Sequence, residues 1–293
     1  MEYLITVIFG LVIGSFLNVC IYRISQNYHQ TEDNEKSKQK QKPKEKLSIM
    51  YPNRSFCPEC KHQLSALDNI PVFSYIFLRG KCRYCKKPIS PRYIIVELLT
   101  AGIFAFILYR GISQFDNIRE ITLYVMRSCF FACFLIVITF IDLKEQVIPN
   151  KVVYSGLAIG LALSAYLTAM GNNHGFMQQE IVKSLIGGIV GAVVILIIAI
   201  GGTLIFRKEA MGMGDVRLMA MIGVYLGLFP YIPLTLIIGA ISGSIVGIIL
   251  MAKHGKKMDS MIPFGPFLSL GAMISLLYGK EIWLWYESLM GLR

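Results

Sequence analysis

The chain has 293 residues, of which 55% are hydrophobic and only 16% charged, with a formal net charge of +11 and a mean hydropathy of +0.57. That balance leaves too little polar surface to cover a soluble globule of this size, so the sequence reads as a polytopic membrane protein. The basic excess is a topology and anionic-lipid signal, and no nucleic-acid partner is inferred from it.

A spanning helix needs about 20 apolar residues. Eight segments approach that: roughly 2–22, 93–110, 121–141, 152–170, 182–206, 217–229, 231–251 and 262–279. The expected fold is all-α, with about eight transmembrane helices in the lipid bilayer. The first segment has no basic n-region and no small-residue cleavage site, so it is expected to remain as a permanent helix. Segments six and seven meet at "LFPYIP", which makes the sixth short. Lys and Arg gather in cytoplasmic connections, and residues 25–92 hold 14 of the 29. With that stretch inside, "KEQVIPNK", "FRKEAMGMGDVR" and "AKHGKKMDS" also fall inside. "GNNHGFMQQE" and "LFPYIP" contain no Lys or Arg and fall outside.

Three parts are expected: a first helix over 1–24, a cytoplasmic segment over 25–92, and a multi-helix membrane part over 93–293. Within the cytoplasmic segment, 25–50 is polar and Lys-rich. Its run "QNYHQTEDNEKSKQKQKPKEK" cannot bury a core and is expected to be a mobile linker. From residue 51 to 92 the character changes, with two C-x-x-C pairs, Cys57/Cys60 and Cys82/Cys85, and 21 residues between them. Two such knuckles can close a tetrahedron of thiolates around Zn²⁺, because a two-residue spacer lets a tight turn aim both sulfurs at one point. So small a module has little core, and the metal would supply much of its stability. Two disulfides are the competing reading, which a reducing cytoplasm disfavours. Cys20, Cys129 and Cys133 sit in apolar helices and read as small core residues.

The third segment ends in "TFIDLKEQVIPN", where Asp142 precedes a turn forced by Pro149. Asp215, in "MGMGDVRLMA", stands where the sixth segment begins. The expected topology brings both carboxylates to the cytoplasmic face at similar depth. Ionisable residues at membrane depth point to function. Two Asp sharing a site can split their pKa values, so that one takes a proton from water while the other polarises a scissile carbonyl. Gly212 and Gly214 would let backbone come close to an extended substrate beside Asp215. The competing readings are helix-end aspartates paired with Lys144 and Arg217, a transporter using an intramembrane Asp pair, and a zinc platform without chemistry.

"GMGDVRL" resembles the GxGD signature of intramembrane aspartic proteases. "GSFLNVCIYRI" at 14–24, the cysteines framing "LDNIPVFSYIFLRGKC", "ISPRYIIVELLTA" at 89–101, "IDLKEQVIPN" at 141–150 and "IPFGPFLSLGA" at 262–272 resemble, in order, the type IV prepilin peptidases. The likeness covers nearly the whole chain apart from the Lys-rich insertion. It implies that Asp142 and Asp215 are the catalytic aspartates and that Cys57, Cys60, Cys82 and Cys85 form the tetracysteine site of the bifunctional members. It further implies removal of basic leaders from membrane-held prepilins and pseudopilins at the inner face of the bacterial cytoplasmic membrane. N-methylation from S-adenosylmethionine is implied by the resemblance alone, and a peptidase without methyltransferase activity is the nearest alternative. Asp68, Asn69 and Pro71, between the knuckles, are expected to help hold the leader, and Glu145 and Glu209 are candidates for meeting its basic residues.

Overall fold

The computed structural model describes residues 1–36, 54–65, 67–170, 180–207, 211–254 and 262–291. Its helices, in chain order, are α1 (Glu2–Lys36), α2 (Phe73–Phe77), α3 (Arg92–Gln114), α4 (Ile118–Glu145), α5 (Asn150–Met170), α6 (Glu180–Phe206), α7 (Met213–Leu226), α8 (Tyr231–His254) and α9 (Gly265–Leu289). Seven of these are long and apolar enough to cross a membrane; α2 and α7 are not. With its 14 residues, α7 is about 21 Å long, short of the hydrocarbon thickness. The short sixth segment expected from "LFPYIP" is this helix. Among the described residues there is no strand, only two isolated bridges in the cysteine region.

Two boundaries differ from the sequence expectation for physical reasons. The polar stretch read as linker begins as helix, because α1 continues to Lys36. No Gly or Pro interrupts the chain between Gly14 and Pro43, so a helix nucleated in the bilayer propagates residue by residue past it. The rest of the Lys-rich stretch, and the loops "GNNHGFMQQE" and "AKHGKKMDS" for most of their length, lie outside the described residues. The last helix also runs ten residues beyond the expected end at 279. Gly279 is no stop there: a Cβ on it would come within 2.7 Å of the Tyr231 ring, so it is a point of close approach to α8. Pro149 does what its position demands. Gln146, in the left-handed region at φ 55, closes α4, and α5 begins directly after the proline.

The chain forms two compact units, Met1–Asp116 and Asn117–Arg293. In the first, α1 packs on α3, with the cysteine region between them in sequence. A Cβ on Gly10 would sit 2.7 Å from Ala101 Cα, and one on Gly14 2.7 Å from Glu97 Cα. This is the small-xxx-small seam by which membrane helices approach when lipid removes the hydrophobic drive between them. The second unit repeats the device. Gly187 of α6 and Gly223 of α7 lie backbone to backbone, and Gly271 of α9 lies against the Thr235 carbonyl of α8.

The α6–α7 seam gives a test of this packing. A Cβ at Gly223 would sit 2.1 Å from the Gly187 carbonyl oxygen, whereas nothing lies within 4 Å of one at Gly201. Gly223→Leu should destabilise the protein by about 1–3 kcal/mol through overpacking, read as a lower midpoint of heat inactivation in detergent. Gly201→Leu should leave that midpoint unchanged.

Candidate active site

Asp142 falls in the last turn of α4 and Asp215 in the first turn of α7, both within the second unit. Both are buried, at 4% and 8% exposure, and they lie close enough to act on each other electrostatically. The two aspartates singled out in the sequence are thus brought together.

Each carboxylate is held by a backbone amide at the start of a helix. The N–H of Gly265, the first residue of α9, donates to Asp142 Oδ2 at 3.0 Å. At the N-cap of α7 the Gly212 amide is near enough to act favourably on the Asp215 carboxylate, and the Asp215 N–H donates to the Gly212 carbonyl at 3.1 Å. Both amides belong to helix N-termini, where the unpaired N–H groups favour negative charge. Among the described residues no cation shares this task. Lys144 Nζ donates to Glu145 Oε1 at 2.7 Å and Arg217 Nη1 donates to Asn150 Oδ1, while neither aspartate enters an ion pair among the described residues. The helix-end reading with Lys144 and Arg217 as partners is therefore not what the fold builds.

Gly214 and Gly265 serve close packing. A Cβ on Gly214 would lie 3.0 Å from Ile148 Cβ, and one on Gly265 would lie 2.6 Å from Asp142 Oδ2 and 3.3 Å from Ile148 Cδ1. Ile148, in the turn after α4, is therefore the apolar peg on which the starts of α7 and α9 rest. Neither Gly212 nor Gly214 has a positive φ. Gly212 has an ordinary extended backbone at φ −76 and Gly214 is helical. Gly214 is small because α7 must reach Ile148. Gly212 has open space where a side chain would stand, its nearest neighbours 3.9 Å away.

The far end of α7 is also secured. Its last carbonyls have no partner within the helix, and Arg127 of α4 supplies donors: Nη2 donates to the Val224 carbonyl at 3.0 Å and the Tyr225 carbonyl at 2.9 Å. The same guanidinium pairs with Glu180 at 3.1 Å and reaches Ser184 Oγ at 3.3 Å. Tyr225 stacks on Phe131 with ring centroids 4.6 Å apart. Arg127, Ile148 and Gly265 were not singled out from the sequence. A lone Arg inside an apolar segment and a Gly-Pro pair opening a helix were the available signals.

The first unit holds the four cysteines. The ligand atoms of Cys57, Cys60, Cys82 and Cys85 all lie within 4.8 Å of one another, and the Sγ atoms of Cys57 and Cys85 are 3.9 Å apart. A tetrahedral site with metal–sulfur bonds of about 2.3 Å requires sulfur separations near 3.8 Å, so the cluster is of a size to bind a metal ion. None of the seven cysteines is in a disulfide. The two knuckles are built alike. The Cys57 N–H donates to the His62 carbonyl and the Cys82 N–H to the Lys87 carbonyl, both at 2.9 Å, and Lys61 and Lys86 occupy matching left-handed positions at φ 59 and 58. His62 stacks on Tyr84 across them, and Lys87 pairs with Glu59.

Of the residues between the knuckles, Asp68 turns inward. Its carboxylate accepts from Arg83 Nε at 2.7 Å, Ser65 Oγ at 2.8 Å and the Ser65 N–H at 3.2 Å. Desolvation opposes its ionisation, but these hydrogen bonds outweigh it and hold the carboxyl below its usual range. Asp68 is thus occupied in fastening the module. Asn69 is exposed, and Pro71 accepts from the Phe73 N–H at 2.6 Å in a tight turn. Glu145 is engaged by Lys144, and Glu209 lies outside the described residues. Glu97, absent from the sequence candidates, is buried in α3 and accepts from the Val72 N–H at 2.8 Å.

Comparison with known proteins accounts for both units. Residues 8–111 match the bacterial peptidase A24 N-terminal domain, and residues 129–248 match the type IV leader peptidase family. The chain is 33% identical over 286 residues to a prepilin leader peptidase/N-methyltransferase of Aeromonas hydrophila, covering 95% of this chain and 91% of that one. Proteins of the same name from Legionella pneumophila and Pseudomonas aeruginosa are 32% and 30% identical, over 97% and 99% of this chain and 94% and 95% of theirs. No solved structure matches the chain. Two buried aspartates at helix ends, a tetracysteine cluster and seven apolar helices, together with these likenesses, place the chain in the type IV leader peptidase family, as an integral membrane protein.

Proposed function

We propose that this protein removes the leader from type IV prepilins and pseudopilins with Asp142 and Asp215 as its catalytic pair, and N-methylates the new terminus. The observation that carries the peptidase half is the meeting of two buried carboxylates, each beside a glycine amide at a helix start and neither in an ion pair among the described residues. Such a pair can hold one proton between two acids. The ionised member takes a proton from the attacking water, the protonated member donates to the carbonyl oxygen, and the departing amine collects a proton as the tetrahedral adduct collapses. The open side of Gly212 leaves room for an extended leader strand beside Asp215. Placement of both acids at helix ends supports interfacial hydrolysis over a proton or cation path, which calls for acids near the midplane.

The basic 25–92 segment puts this site on the cytoplasmic side by the positive-inside rule. The prepilin helix then lies in the bilayer and presents its leader at that face, and no nucleic acid takes part. The metal is zinc: four thiolates at tetrahedral spacing, with no position left for a further ligand, make a structural site of the kind zinc prefers. For methyl transfer the first unit offers Asn18 Oδ1, buried and without a partner among the described residues, on the same α1–α3 seam as Glu97. These acceptors suit the cationic, hydroxyl-bearing S-adenosylmethionine, which supplies the methyl group. On this reading 1–116 carries methylation and 117–293 carries hydrolysis.

Three experiments test the reading. Asp142→Asn and Asp215→Asn should each abolish leader removal from a purified prepilin, scored by mass spectrometry, with metal content unchanged; substantial cleavage by either variant removes that residue from the pair. Cys82→Ser should lose zinc by elemental analysis and lose more methylation, read as a 14-dalton gain at the product terminus, than cleavage, since binding of metal and folding of the module are linked; zinc retained in full would sink the four-thiolate site. An impermeant thiol reagent applied from outside should label a cysteine placed at 171–179 and spare one at Lys144, and the reverse pattern would put the aspartates on the wrong face.

A further inference from the structure

The cysteine module carries apolar residues that stay exposed among the described residues of its unit. Leu67, Ile70, Phe73, Ile76 and Phe77 are all exposed, Phe77 to 80%. So many large apolar groups within one short stretch exceed what a freely hydrated module shows to water. Within the next nine residues of the chain come exposed Arg79, Lys81 and Lys86.

The module's attachment fixes the level of this edge. The Val72 N–H, one residue before Phe73, donates to Glu97 Oε2 at 2.8 Å. Glu97 lies five residues beyond Arg92, the first residue of α3, which is about 7.5 Å along the helix axis. On either side of Glu97, Ile95 and Leu98 are exposed large apolar residues, so the lipid-facing surface of α3 has already begun at this level. An apolar edge bonded to a spanning helix at that height, with cations beside it, matches an interfacial element that sinks roughly 5–10 Å into the boundary between headgroups and acyl chains.

We propose that residues 67–77 rest in the membrane leaflet beside α3, with Arg79, Lys81 and Lys86 in the layer of anionic phospholipid headgroups. The module is thereby a second, monotopic membrane contact of the first unit. Charge complementarity and continuity with the lipid-facing side of α3 favour the leaflet over a protein occupant. This inference does not depend on the catalytic roles assigned to Asp142 and Asp215.

The full chain, with Phe77 replaced by the photoreactive benzoylphenylalanine, is reconstituted in phosphatidylethanolamine/phosphatidylglycerol vesicles, irradiated, and read by intact mass and peptide mapping. The same probe at Glu59, on the first knuckle, is the water-facing reference. Phospholipid adducts at 77 should exceed those at 59 by about five-fold or more, and replacing phosphatidylglycerol with phosphatidylcholine should reduce them. Zinc content equal to that of the unsubstituted protein confirms that the module is intact in each sample. Adducts to residues 117–293, adducts to an added prepilin, or lipid adducts no more frequent at 77 than at 59 would each overturn the proposal. A yield at 77 that ignores phosphatidylglycerol would overturn the part given to the basic residues.

Discussion

Two carboxylates buried at helix ends, neither in an ion pair among the described residues, draw on the backbone for solvation. Removing an ionised carboxylate from water is expensive unless hydrogen bonds replace the lost hydration. Among the described residues, the Gly265 amide donates to Asp142 and the Gly212 amide acts on Asp215. The direction of each amide is set by the helix it opens. This dictates architecture, since α7 and α9 must both begin at this spot to aim their terminal N–H groups inward.

A helix that starts beside Asp142 and is only 14 residues long must end before it leaves the bilayer. Its terminal carbonyls then need donors where water is scarce. Arg127 answers that requirement, and Glu180 answers the charge of Arg127 in turn. Between the two ends, α7 is pressed against α6 through Gly187, Gly191 and Gly223, with no long side chain to act as a bearing. The helix that carries Asp215 is therefore fixed at its start by Ile148, along its length by glycine contacts and at its end by a guanidinium. Rigid placement is what a pair of acids needs, because proton sharing and water activation both demand hydrogen-bond reach.

What the sequence revealed follows from which interactions have a side-chain signature. Asp142 and Asp215 were legible because a charge at the edge of an apolar run is conspicuous, and the cysteines because C-x-x-C spacing specifies geometry. The stop at Pro149 and the shortness of α7 were legible from backbone chemistry. The hydrogen bond that holds Asp142 was not, since its donor is a peptide N–H whose direction depends on where α9 lies. Gly214 was noticed, but its packing against Ile148 is a tertiary fact that the sequence does not carry. Arg127 was visible as a charge within 121–141, yet its partners are carbonyls nearly a hundred residues away in sequence. The α1 overrun escaped because composition speaks of what a segment can bury, and a helix already anchored in lipid need bury nothing to continue.

The same reasoning explains why a glutamate belongs inside α3. Val72 is β-branched and stands at φ 63, a conformation that costs such a residue on the order of 1–3 kcal/mol and persists only where its surroundings enforce it. Glu97 provides part of that enforcement by accepting the Val72 N–H. The turn at Pro71–Val72 sends the chain from Asp68, which fastens the second knuckle through Arg83, into α2 and its apolar edge. With so little apolar core of its own, the module gains position from this hydrogen bond to α3 and from the contact of Phe56 with Tyr22 of α1. A loosely tethered appendage would need neither a strained valine nor a buried acid to receive it.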